Sequence, residues 1–114
     1  MTNQEIDALI AEKVMGWVRK GSGPSLWVGT DDEVKWWVKH WAPSEDMRQA
    51  MQVARHLLGE GFASFEVSYH DDGEHRGWSS YIGRIAGEHW GWGDTPELAI
   101  CKAALKAKGV NNVS

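Results

Sequence analysis

The chain has 114 residues, 42% of them hydrophobic, and a formal net charge of -4. That is the length of one ordinary domain with enough apolar material for a core. The charge speaks against a nonspecific nucleic-acid binder, whose affinity rests on neutralising phosphates. No apolar stretch approaches the roughly 20 residues that span a bilayer. Residues 1–5 lack the basic and apolar regions of a secretory leader. The single Cys101 has no internal disulfide partner and reads as a small buried hydrophobe. The expectation is a soluble, cytoplasmic protein. Eight tryptophans are the anomaly, because a domain this small has trouble hiding so much indole surface.

Thr2 and Glu5 have capping-box spacing, and Ile6, Leu9, Ile10, Val14 and Trp17 recur at helical spacing. They predict a helix over about 3–15, ended by Gly16. Residues 21–24, Gly-Ser-Gly-Pro, read as a turn. Leu26 to Val38 reads as a loose hairpin, with a short helix or an extended loop as the rival. A second helix follows Pro43. Ser44 is its expected cap, and Met47, Ala50, Met51, Ala54, Leu57 and Leu58 form its stripe before Gly59 and Gly61.

The stretch 62–69 alternates Ala63, Phe65, Val67 and Tyr69 against Ser64, Glu66 and Ser68. Asp72-Gly73 signals a hairpin turn. The chain returns through 78–85, where Gly83 marks a bulge or a close approach by another group. A third strand fits 88–92. Thr95 then caps a last helix with Pro96 at its first position, lysines in its last turn and Gly109 at its end. Its alanines suit close approach to a sheet, with Lys102 and Lys106 expected to face water. The expected fold is α+β: one small α/β/α sandwich domain over 1–114, an antiparallel three- to four-stranded meander covered by three helices, with a tryptophan-rich arm at about 20–42.

Residues 6–17 (IDALIAEKVMGW), Pro43-Ser44-Glu45-Asp46 with the helix behind it, and residues 95–107 (TPELAICKAALKA) resemble the phage ABA-sandwich family of small phage and prophage proteins. The resemblance is fairly specific in the first and last segments and weak between Arg19 and Trp41. It implies a phage origin and helices packed around a central sheet. It supplies no catalytic residues. The tryptophan-rich arm, and Met51 where a bulkier aromatic is usual, depart from the family's pattern.

No phosphate loop, nucleophile elbow or zinc-helix motif occurs, so the reading is a non-catalytic protein without a cofactor. His70, Asp71, Asp72 and His75 are solvated turn residues before they are metal ligands. Two stretches look like binding surfaces. In the arm, Trp36, Trp37 and Trp41 interleave with Lys35 and Lys39, a pattern that stacks bases and answers phosphates. The plainer reading puts these indoles in the core or a dimer contact. On the meander, Ser64, Glu66, Ser68, Ser80 and Arg84 form a candidate polar floor, with Trp78 or Tyr81 beside it for stacking. An ordinary solvated sheet face is the alternative. Small phage proteins of this kind often disarm host defences. By that analogy the expected function is sequestration of a nucleotide-type signal, a cyclic nucleotide or cyclic ADP-ribose-like ligand, in a pocket between self-associated subunits. The rival is an inhibitor or adaptor that docks its tryptophan-rich arm on a host protein.

Overall fold

The computed structural model describes residues 1–19, 27–31, 34–38, 40–84 and 87–110. The first helix, α1, covers Asn3–Leu9 and continues as a π-helical turn over Ile10–Val14. The Glu5 amide donates to the Thr2 hydroxyl at 3.1 Å, so Thr2 is the cap the spacing predicted. The wider turn closes through a bond from the Met15 amide to the Ile10 carbonyl at 3.0 Å. Neighbouring Ile10 and Ala11 are both buried there. Gly16, with φ 73°, turns the chain out of the helix.

Three short strands follow: β1 (Val18–Arg19), β2 (Trp27–Asp31) and β3 (Val34–Val38), an antiparallel sheet in that order. The arm is therefore the hairpin that the sequence favoured. Its expected Gly-Ser-Gly-Pro turn lies outside the described residues. Trp27 is wholly buried and ties the arm to the core.

Helix α2 (Met47–Gly59) is capped by Asp46, not by Ser44. Asp46 Oδ1 accepts from the amides of Arg48 and Gln49 at 2.9 and 3.2 Å. Ser44 lies two residues before that cap: its amide donates to the buried Asp7 carboxylate at 2.8 Å, and its hydroxyl is buried without a hydrogen-bond partner among the described residues. The helix buries Ala50, Val53, Ala54 and Leu57, while Met47 and Leu58, expected inside, are exposed.

The second sheet is a meander of β4 (Ser64–Asp71), β5 (Arg76–Arg84) and β6 (Gly87–Gly93), antiparallel in chain order. Glu66 lies opposite Tyr81, and Tyr81 opposite Trp90. Helix α3 (Pro96–Ala107) starts on Thr95, whose hydroxyl accepts from the Leu98 amide at 3.2 Å. Its contacts are with β6, β5, β4 and, behind it, α2 and the π turn. Alanine spacing explains the tightness: a Cβ added to Gly91 of β6 would run into the Ala99 carbonyl and the Ala103 amide. Strand and helix thus meet backbone to backbone.

Helices α2 and α3 lie on the sheet face that carries Phe65, Val67 and Ile82. One continuous core joins Ile6, Ile10, Trp17, Trp27, Trp41, Leu57, Ile82 and Leu105. Burial of each large aliphatic side chain contributes about 1.5–3 kcal/mol. The α+β sandwich is as expected, with the extra strands supplied by the arm. No helix among the described residues is long and apolar enough to cross a membrane.

Two outcomes follow from this packing. Gly91→Ala should lower unfolding stability in urea by about 1–3 kcal/mol, the cost of overpacking. Gly59→Ala, whose Cβ would meet nothing within 4 Å, should be neutral or stabilising by about 0.4–1 kcal/mol. Burial raises the Asp7 carboxyl above its ordinary value; the bond from the Ser44 amide pulls it back, and the Glu45 charge pushes it up. The folded chain therefore holds this proton more tightly than the unfolded chain. Stability gained on acidification through the range above the ordinary Asp value should be lost as pH rises. Asp7→Asn, which keeps an acceptor for Ser44, should remove that slope in denaturation measured across pH.

Candidate functional site

A cleft of about 600 Å³ wraps the end of β6, between the β4–β5 hairpin and α3. Two indoles line it, Trp78 from the helix-covered face of the sheet and Trp92 from the open face, and its polar groups are His70, Asp72, His75, Arg76, Asp94 and Lys102. The hairpin geometry sets these positions. Register pairs Asp71 with Arg76 and Tyr69 with Trp78, while β6 places Gly93 beside Trp78. Both cleft glycines are tight: a Cβ on Gly93 would lie 3.0 Å from the Leu98 Cβ, and one on Gly77 would lie 3.2 Å from the Gly93 carbonyl oxygen.

The turn between β4 and β5 is pinned by its own acids. Asp71 Oδ1 accepts from the Gly73 amide at 3.0 Å, and Asp72 Oδ1 from the amides of Glu74 and His75 at 3.0 and 2.6 Å. The His75 and Glu74 amides hold the Asp72 carboxyl below its ordinary value. Arg76 Nε lies 3.4 Å from Asp71 Oδ2 in an exposed pair that contributes little stability. The turn acids are thus engaged with the backbone, and Arg76 stands over the cleft on a braced hairpin.

Below the hairpin, His70 Nε2 lies 2.7 Å from the Ser79 hydroxyl, and the His70 ring sits 5.4 Å from that of Trp92. Tyr69 packs against Trp78 at 5.1 Å. Both indole walls are therefore held by a neighbouring ring. Lys102, expected to face water, is half-buried and forms part of the cleft floor with Leu98. An assembly of aromatic walls with guanidinium, ammonium and imidazole groups can stack a flat ring and answer an anion.

The residues singled out from the sequence fall in several places. Trp41 is 3% exposed, packed edge-on against Trp17 at 4.6 Å. Trp36 and Trp37 lie on β3, opposite Gly29 and Val28. Lys39 lies outside the described residues. Arg84 ends β5 opposite Gly87. The expected polar floor divides: Ser64, Glu66 and Ser68 share the open face of the sheet with Tyr81 and Ser79, whereas Ser80 is opposite Val67 on the helix-covered face. There the Ser80 hydroxyl donates to the Glu66 carbonyl at 3.0 Å, a buried and satisfied group. Alternation along each strand was legible, but which alternate faces of β4 and β5 coincide depends on hairpin register.

Sequence reasoning passed over Arg76, Trp92, Asp94 and Lys102. Their signal was the turn itself. Asp72-Gly73 fixes the register that brings Arg76 and Trp78 to one end, and Gly93-Asp94 brings β6 and α3 to the same end. The expected close approach at Gly83 is real: a Cβ there would strike the Tyr81 phenol, which lies down across it.

The family described as the phage ABA sandwich domain matches residues 8–105. Among solved structures, a phage protein from Bacillus cereus superposes with a TM-score of 0.66 at 23% identity, covering 92% of this chain and 90% of that one. No curated protein matches the chain. The likeness to the solved phage protein bears on the fold.

Core and cleft indoles should separate on substitution. Trp41→Ala should cost about 3–5 kcal/mol of unfolding free energy. Trp92→Ala, at a position 53% exposed, should leave the thermal midpoint within a few degrees. Circular dichroism melting of the two variants measures both.

Proposed function

We propose, from the premise that this chain belongs to the phage ABA sandwich family, that it binds and sequesters a small nucleotide-type signal of host antiphage defence. It would do so without catalysis, in the host cytoplasm. The observation that carries the reading is the cleft of about 600 Å³, within the range of pockets that enclose small ligands. In this reading Trp78 stacks the base, Trp92 closes the rim from the sheet's open face, Arg76 and Lys102 answer phosphate, and Asp94 accepts from ribose hydroxyls. The cleft is open to one side. A second copy would complete the enclosure in a dimer or larger assembly, the role the sequence suggests for the arm with Trp36, Trp37 and Lys39. Sequestration requires tight binding, which enclosure and rigid walls favour.

Calorimetry against cyclic dinucleotides and cyclic ADP-ribose isomers tests the proposal. At least one should release heat of binding. Arg76→Ala and Trp92→Ala should each weaken that ligand about tenfold, roughly 1.4 kcal/mol. Native mass spectrometry of the same sample should show two or more subunits carrying it. Folded protein that gives no heat with any member of the panel overturns the reading.

A further inference from the structure

The meander has a second face, and no described helix lies on it. The apolar packing of α3 and α2 against the sheet falls on the side of Phe65, Val67 and Ile82. On the other side Trp90 and Trp92 are 42% and 53% exposed, an unusual cost for a chain of 114 residues. Tyr81 stands directly opposite Trp90, with ring centroids 5.0 Å apart and planes tilted by 54°. Because Gly83 has no side chain, the phenol lies along the strand and keeps the platform low.

Carboxylates flank this aromatic pair. Glu66, exposed, is the neighbour of Tyr81 on β4, and Glu88, exposed, follows Gly83 in register on β6. Glu66 is also held in place by a bond from the Ser68 hydroxyl at 3.0 Å. No lysine or arginine side chain among the described residues of this face answers these acids. Indole and phenol faces bordered by carboxylates attract guanidinium and ammonium groups, through the ring quadrupole and through paired charge.

We infer that this open face is a docking surface for a cationic, amphipathic helix of another protein. Charge excludes the main competitors. A second copy stacked here about a two-fold axis would set Glu66 and Glu88 against the same acids. A nucleic acid would bring its phosphates to them. Size points to one helix: three strands about 4.8 Å apart make a platform about 14 Å wide, and a helix with its side chains is about 10–12 Å across. Trp92 borders both this face and the cleft, but Glu66, Glu88, Tyr81 and Trp90 do not line the cleft, so variants of these residues test the surface apart from the proposed nucleotide reading.

The test uses the full chain and a fluorescein-labelled synthetic amphipathic helix of leucine, alanine and arginine, read by anisotropy. Its counterpart with glutamate for arginine and a labelled single-stranded oligothymidine are run beside it. The basic peptide should bind, and binding should weaken as salt rises. Trp90→Ala and the pair Glu66→Gln with Glu88→Gln should each weaken it about tenfold, with unchanged circular dichroism. Arg76→Ala should not. The inference is overturned by equal binding of the acidic peptide or oligothymidine, by basic-peptide binding that ignores both face variants, or by no binding of the basic peptide. It is overturned too by a dimer in native mass spectrometry that Trp90→Ala alone dissolves. If Trp90→Ala fails to fold, the glutamine pair decides, since both glutamates are exposed.

Discussion

Strand β6 can bring helix α3 down onto the sheet only because residue 91 has no side chain. The Ala99 carbonyl and the Ala103 amide occupy the space a Cβ would need. Helices pack at a distance set by the side chains at their contact, and here that layer is removed from both partners. The consequence, among the described residues, is a sheet with helices on one face. Helix α3 takes the covered face at β6, α2 takes it at β4, and the helical N-terminus packs behind α3. Everything left for recognition lies at the rim of this contact or on the bare side of the sheet. The cleft is such a rim, since Leu98 and Lys102 lie on the same helix one turn apart.

Local chemistry was legible where it acts alone. Thr95, Pro96 and Gly109 bound α3 in both sequence and structure, and Asp72-Gly73 gives the hairpin it signals. Nonlocal partners account for the differences. Ser44 has a capping residue's chemistry, but the bond from its amide to Asp7, 37 residues away, fixes it inside the fold with its hydroxyl unpartnered, and Asp46 takes the cap. Ser80 alternates correctly on its own strand, yet register sets it over Val67 and under the helices. No feature of one strand alone says which of its faces a neighbouring strand will share. The cleft was illegible for the same reason. Its residues come from three elements and meet only after the hairpin register and the α3 contact are both in place.

The tryptophans divide by what surrounds them. Trp17, Trp27 and Trp41 are core, and the indole nitrogens of Trp27 and Trp41 find no hydrogen-bond partner among the described residues. Leaving a buried donor unpaired costs about 1–3 kcal/mol. That cost is consistent with rings kept inside for their area and shape. Trp90 and Trp92 have the opposite problem, exposed area with no described helix over it. Neither position can turn inward without shifting β6 by one residue. That slip would put Trp90 or Trp92 where Gly91 must be, and α3 leaves no room there. The contact that closes one face of the sheet therefore also holds these indoles on the other.

That linkage makes the exposed rings fixed features of the surface. Trp92 is further held by the His70 ring, and His70 by the Ser79 hydroxyl. Tyr81 is laid across Gly83 and held by Trp90. Binding costs less when the receiving side chains are already ordered, because their rotamer entropy was lost on folding. An indole free to move would shed that advantage, and one packed inward would offer no face to a ligand. The same backbone contact at Gly91 thus supplies stability on one side and ordered aromatic surface on the other, and a sequence that relieved it would lose both together.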